Sequence, residues 1–219
     1  MRQIHMALLL VATGRPYLAA AAPRSSCDSA LPGAGARGKI PGHIGRDRRT
    51  PVKFVQTSGG AFILLPLELR KDWNGAGDDP DDPKSHYART RPFAGKLGLL
   101  KVGKGTALIL GNPVETAFVP LPEAGGVFVQ RAVGEDEEDI AEAVEEALEA
   151  SDWTRSDVSF EVGDKGRLAL MDSYDTYADT EKEDRIEVAL EPGRYTIDVR
   201  DVKDEEAGLD LHLVRVLKA

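Results

Sequence analysis

Apolar residues in this chain come in short blocks separated by glycine, proline and acidic residues, and only one stretch carries a sustained helical period. Residues 52–57 and 61–65 read as two strands, with Ser58-Gly59-Gly60 supplying a tight turn between them, so a hairpin is expected there. Pro66 stops the second strand. Leu67, Leu69, Arg70 and Trp73 then fit a short helix closed by Asn74-Gly75, and the run Asp78-Asp79-Pro80-Asp81-Asp82-Pro83 reads as a solvated loop. Residues 96–102 and 106–110 make a second apolar pair around Gly103-Lys104-Gly105, followed by strands over 116–120 and 127–133. The short connections favour antiparallel pairing.

The exception is 135–150, where Ile140, Val144, Ala147 and Leu148 recur as one apolar stripe at helical spacing. The other faces are acidic: 135–149 holds nine Asp and Glu residues and no basic one. Acidic residues in the first turn suit the helix dipole, but Glu142, Glu145, Glu146 and Glu149 further along repel one another. Something other than intrinsic helix stability must tolerate that density. Strands resume at 158–162, 167–171, 186–190, 195–199 and 209–217, with a turn at Pro192-Gly193. In the last strand Leu209, Leu211 and Leu213 share one face with Arg215, while Asp210, His212, Val214 and Val216 share the other, the pattern of a strand with two partly buried faces. The expected architecture is α+β: mostly antiparallel β-sheet with one acidic amphipathic helix and one short helix.

Charge divides the chain. Residues 1–51 carry eight basic and two acidic groups, a net of +6, whereas 52–219 hold 20 basic and 35 acidic groups, a net of −15. The first segment is rich in Gly, Pro, Ser and Arg without an apolar period, so a disordered basic extension followed by a single globular α+β domain over 52–219 is expected. Ala7-Leu8-Leu9-Leu10-Val11-Ala12 imitates the apolar part of an export signal but is broken by Gly14-Arg15-Pro16. A disordered arm, an extension from a misassigned start and a true signal are the competing readings, and a cytoplasmic location is expected. The acidic domain repels phosphate backbones and attracts a basic partner, so nucleic acid is not the expected partner; no apolar run approaches the roughly 18 residues of a membrane-spanning helix, so no membrane is expected either. With Cys27 the sole cysteine, no disulfide or cysteine-based metal site can form within one chain.

The motifs that could carry chemistry are few. Gly98-Leu99-Leu100-Lys101-Val102-Gly103-Lys104 approaches a phosphate-binding loop, but Gly105 stands where Ser or Thr must reach magnesium, and a hairpin turn accounts for the glycines. Asp172, Asp175, Asp179, Glu181, Glu183 and Asp184 lack the spacing of a calcium loop and read as a solvated acidic loop. Ser58, His86 and His212 could join an acid in a noncontiguous hydrolase site, which is the alternative from the enzyme class; an exported ligand-binding module is a third reading. No cofactor or metal is implied. For partner binding, Glu137, Glu138, Glu142, Glu145 and Glu146 form the densest acidic surface, and Trp73, beside an acidic loop, is the candidate aromatic anchor.

The succession F-V-Q-T-S-G-G-A-F-I-L-L-P (54–66), Trp73-Asn74-Gly75, L-G-L-L-K-V-G-K-G-T-A-L-I-L-G (97–111), T-A-F-V-P (116–120) and G-G-V-F-V-Q-R (125–131) resembles the bacterial immunity protein 21 family. G-R-L-A-L-M-D-S (166–173) and E-P-G-R-Y-T-I-D-V (191–199) fit the same pattern, so the resemblance spans about 52–217 and leaves the basic segment outside. It implies a protective partner of a polymorphic toxin system, one that binds and neutralises a cognate protein toxin by occlusion rather than by catalysis. The shared motifs are structural glycines and core runs.

Overall fold

A computed structural model describes residues 53–121, 125–134 and 137–219; the expected basic extension and the expected helix start at Glu135 lie outside these residues. The strands are β1 (Phe54–Val55), β2 (Phe62–Pro66), β3 (Leu97–Val102), β4 (Gly105–Leu110), β5 (Glu115–Pro120), β6 (Gly125–Val133), β7 (Thr154–Val162), β8 (Arg167–Asp172), β9 (Ile186–Ala189), β10 (Gly193–Asp204) and β11 (Leu209–Lys218), and the helices are α1 (His86–Thr90) and α2 (Glu137–Glu149). All pairings are antiparallel. They build a six-stranded sheet, β1-β5-β6-β11-β10-β7, and a five-stranded sheet, β3-β4-β2-β8-β9.

The two sheets pack face to face over one apolar core, in which Phe62, Leu64, Leu108 and Leu170 of the smaller sheet meet Phe128, Tyr195, Ile197, Val214 and Val216 of the larger. Each sheet also has a covered outer face. On the larger, α2 packs Ile140, Ala141, Val144 and Ala147 against Val127, Val129, Leu209, Leu211 and Leu213. Burying Ile140 and Val144 contributes about 1.5–3 kcal/mol each. On the smaller, Leu69, Trp73, Phe93 and Tyr177 from irregular segments cover Ile63, Leu65, Ile109 and Met171.

β11 lies between β6 and β10 and has buried side chains on both faces, as its alternation predicts. The β3–β4 hairpin also forms where expected: Val102 pairs with Gly105, and Gly103 takes a positive φ of 51° in the turn.

The expected hairpin between 52–57 and 61–65 does not form. β1 pairs with β5 in the larger sheet, while β2 sits between β4 and β8 in the smaller, so Thr57–Gly60 crosses from one sheet to the other. The reason lies in β2, which is buried at every position: Phe62 and Leu64 enter the inter-sheet core, Ile63 and Leu65 the outer one. A strand apolar on both faces needs neighbours on both edges and cover on both sides, which a two-residue partner cannot provide. Asp172 anchors the crossover, its Oδ2 accepting hydrogen bonds from the Ser58 N–H (2.6 Å) and the Thr57 hydroxyl (3.0 Å). Gly60 is required here by close approach, since a Cβ would lie 2.8 Å from both Asp172 Oδ1 and Ser173 Oγ.

The short helix expected from Leu67 to Trp73 is a single 3-10 turn, Leu67–Leu69. The regular short helix is α1, started by Ser85, whose Oγ accepts from the Ala88 N–H at 3.0 Å.

Candidate partner-binding surface

The stripe that seats α2 determines what the helix shows to solvent. With Ile140, Ala141, Val144 and Ala147 turned to the sheet, Glu138, Glu142, Glu146 and Glu149 are exposed, and Glu137 and Glu145 are half-buried. Of the five glutamates expected at a binding surface, Glu138, Glu142 and Glu146 stand on the outward ridge with Glu145 at its flank, whereas Glu137 starts the helix above the stripe of Ile140, Ala141 and Val144. The last turn of α2 holds no basic residue, so its carbonyl ends are met from outside the helix. The Ala147 carbonyl accepts from the Trp153 indole N–H (2.8 Å) and from Arg200 Nη1 on β10 (3.1 Å). Arg200 also pairs with Asp152 at 3.1 Å, and the guanidinium of Arg215 lies over the Trp153 ring at 4.1 Å. A cation supplied by the sheet therefore offsets the dipole of a helix that has none of its own.

Across the larger sheet from α2, its inner face changes chemistry. Val214 stands opposite Phe128 and Val199 within the inter-sheet core, but two residues earlier His212 stands opposite Gln130 and Asp201. Thr116, opposite Gln130, extends this polar row across four strands. His212 Nδ1 lies 2.6 Å from Asp201 Oδ1, and Gln130 Nε2 donates to the Asn112 carbonyl at 3.3 Å. One step further out, Asp210 faces Lys203, whose Nζ donates to Oδ2 at 3.0 Å. A bulge after Asp210 sets Val133 opposite that residue, and Val133 is 57% exposed.

Two adjoining concavities open here, of about 540 and 300 Å3, with Pro113, Val114 and Ala132 lining both. Gly134 borders the larger one, and a Cβ on it would meet Leu209 and Ile140, so the hollow abuts α2. Its other wall carries Glu115. Burial pushes that carboxyl up, but hydrogen bonds from Arg131 and Gln56 outweigh burial and hold it below the usual carboxylate range. Arg131 also lies over the Phe54 ring at 4.4 Å.

The family model for immunity protein 21 matches residues 53–208. The chain belongs to the immunity protein 21 family. No curated protein and no solved structure was found to be similar to it. The matched segment stops at the β10–β11 turn, although β11 is held by ten residue pairs to β10 and is flanked by β6 on its other edge.

In this immunity protein 21 member the remaining candidates lie elsewhere. Trp73 is 2% exposed, donates its indole N–H to the Asp175 carbonyl at 2.9 Å and stacks on His86 with ring centroids 4.8 Å apart. The expectation of a surface anchor is corrected: the acidic segment after β8 folds over the indole, which is a core residue. Asp172 is buried as well, so the segment is not solvated throughout. Burial, with Asp172, Asp179 and Asp184 nearby, raises the Asp175 carboxyl.

His86, Ser58 and His212 are not brought together. His86 Nδ1 accepts from the Asn74 N–H at 3.2 Å, and burial followed by the charge of Arg89 lowers its pKa. His212 pairs with Asp201 on the other sheet, and the Ser58 backbone is engaged by Asp172. The polar row and Val133 were not singled out from the sequence. The available signal was the switch from Val216 and Val214 to His212 and Asp210 along one face of the last strand.

Proposed function

We propose that the protein neutralises a cognate toxin inside the producing cell by stoichiometric binding, and that the toxin presents a basic face. Membership of an immunity protein family carries this reading, and the acidic ridge of α2 agrees with it on separate grounds. Complementary fields accelerate encounter and orient partners, whereas affinity comes from a desolvated centre. α2 therefore steers, and its glutamates act mainly on the association rate.

Co-expression with the toxin encoded beside this gene tests the reading: growth is restored and the two proteins co-purify at equal stoichiometry. Absence of both protection and binding rejects it. Replacing Glu142, Glu145 and Glu146 by Lys slows association by about tenfold or more at low salt, with a smaller difference at high salt, measured by stopped flow. Unchanged association kinetics would remove α2 from the encounter surface.

A further inference from the structure

The inner face of the larger sheet loses its cover at the row Thr116–Gln130–His212–Asp201, and the two adjoining concavities beyond it bring together an exposed aliphatic side chain and acidic surroundings. Among the described residues, three large hydrophobic side chains are exposed: Leu99, Val133 and Tyr174. Of these, Val133 lines the larger of the two concavities. Its neighbours Pro113, Val114 and Ala132 supply an apolar floor.

The charges around this floor are unbalanced. Lys203 and Arg131 are its cations, and each is already paired, with Asp210 and Glu115 respectively. Asp201 lies along the same wall, and the β10–β11 turn adds exposed Asp204, Glu205 and Glu206. An apolar floor with an acidic rim fits a side chain that is itself apolar and flanked by cations. It disfavours an acidic peptide or a phosphate-bearing ligand, which the rim repels.

We infer that this hollow, rather than the ridge of α2, is the docking centre for the partner, and that it receives a protein segment presenting an aliphatic or aromatic side chain between lysines or arginines. The inference rests on the proposed function and refines it: α2 governs arrival, and the hollow governs residence. Hot spots concentrate where an apolar anchor is sealed from water by a polar rim, and the row of paired side chains from Thr116 to Lys203 provides that seal without needing to move.

The test uses the full chain and the toxin encoded beside it, carrying a substitution that abolishes its toxicity. Val133→Arg removes the aliphatic contact and opposes a cationic partner, while Val133→Thr keeps the shape and β-branching and removes only apolar surface. Because Val133 is largely exposed, both variants keep the wild-type circular dichroism and melting temperature. The dissociation constant is expected to rise about tenfold or more for Val133→Arg and by a smaller factor for Val133→Thr, mainly through faster dissociation. Leu99→Arg, on the other sheet, serves as the control and leaves affinity unchanged.

Hydrogen exchange of the complex is expected to show protection at 112–115, 130–134 and 203–210. Wild-type affinity in both Val133 variants, or protection confined to α2, overturns the inference while leaving the proposed function standing. A wild-type chain that does not bind the toxin removes both. Concentration-dependent dimerisation that is abolished by Val133→Arg would assign the hollow to a second copy of this chain and also overturn the inference.

Discussion

The two sheets of the sandwich are covered on their outer faces in opposite ways. The larger carries a regular amphipathic helix, which satisfies its own backbone, buries one stripe and turns the remaining side chains outward as an acidic ridge. The smaller carries irregular segments around Trp73, α1 and the connection after β8, which must find partners for their polar groups within themselves. They do so with side chains that look functional in sequence: Trp73 on the Asp175 carbonyl, His86 on Asn74, and Asp172 on Thr57, Ser58 and Tyr174. Arg185 follows the same rule, bonding the carbonyls of Tyr177 and Thr180. Regular cover leaves chemistry outside; irregular cover consumes it.

The largest effect expected from this contrast is at Trp73. Trp73→Ala removes a buried indole and its N–H partner, and costs about 3–5 kcal/mol in urea denaturation. The folded fraction still binds the toxin with wild-type affinity. A stable variant with weakened binding would reverse the roles assigned to the two coverings.

An intermediate effect is expected at Arg200, the cation that the larger sheet lends to its helix. Arg200→Ala leaves the Ala147 carbonyl with the Trp153 indole and the Ala150 N–H, removes the cation from the helix end and costs about 1–2 kcal/mol, with helical amides of α2 exchanging faster than those of β10 and β11. Uniform acceleration across the sheet would mean that α2 does not depend on this contact.

The smallest effect concerns pH. The folded pKa of His86 lies below its ordinary value near 6.5, so as pH falls through that value the unfolded chain takes up a proton that the folded chain resists, and stability declines. Asp175 acts in the other direction. Its carboxyl is raised above 3.8, so it binds a proton more readily when folded, and stability is regained as pH falls toward that lower value. His86→Asn therefore shows a shallower loss of melting temperature than the wild type between about pH 7.5 and about pH 5.5. An equal or steeper loss would show that the ring is not held neutral by its buried site.

Much of the local structure was legible in residue order. The α2 stripe, the Gly103 turn and the two-faced alternation of β11 each declare themselves within a few positions, because helix period, turn stereochemistry and strand alternation are local properties. The Ser58–Gly60 turn misled for a related reason: glycines show where a chain can reverse, not which strands will flank it. The apolar run of β2, with no polar alternate, was the sign of a central strand.

By itself, then, the amino-acid order determined the α+β class, the position and acidity of the long helix, and the family pattern across most of the chain. Tertiary structure alone decided that β1 and β2 part into different sheets, that Trp73 faces inward, and that Gln130, His212 and Asp201 align in one row from three strands. The division has a physical cause. Periodicity and turn chemistry act between near neighbours, whereas burial and register depend on which distant segments compete for the same apolar surface, and that competition is resolved only when the two sheets close on each other.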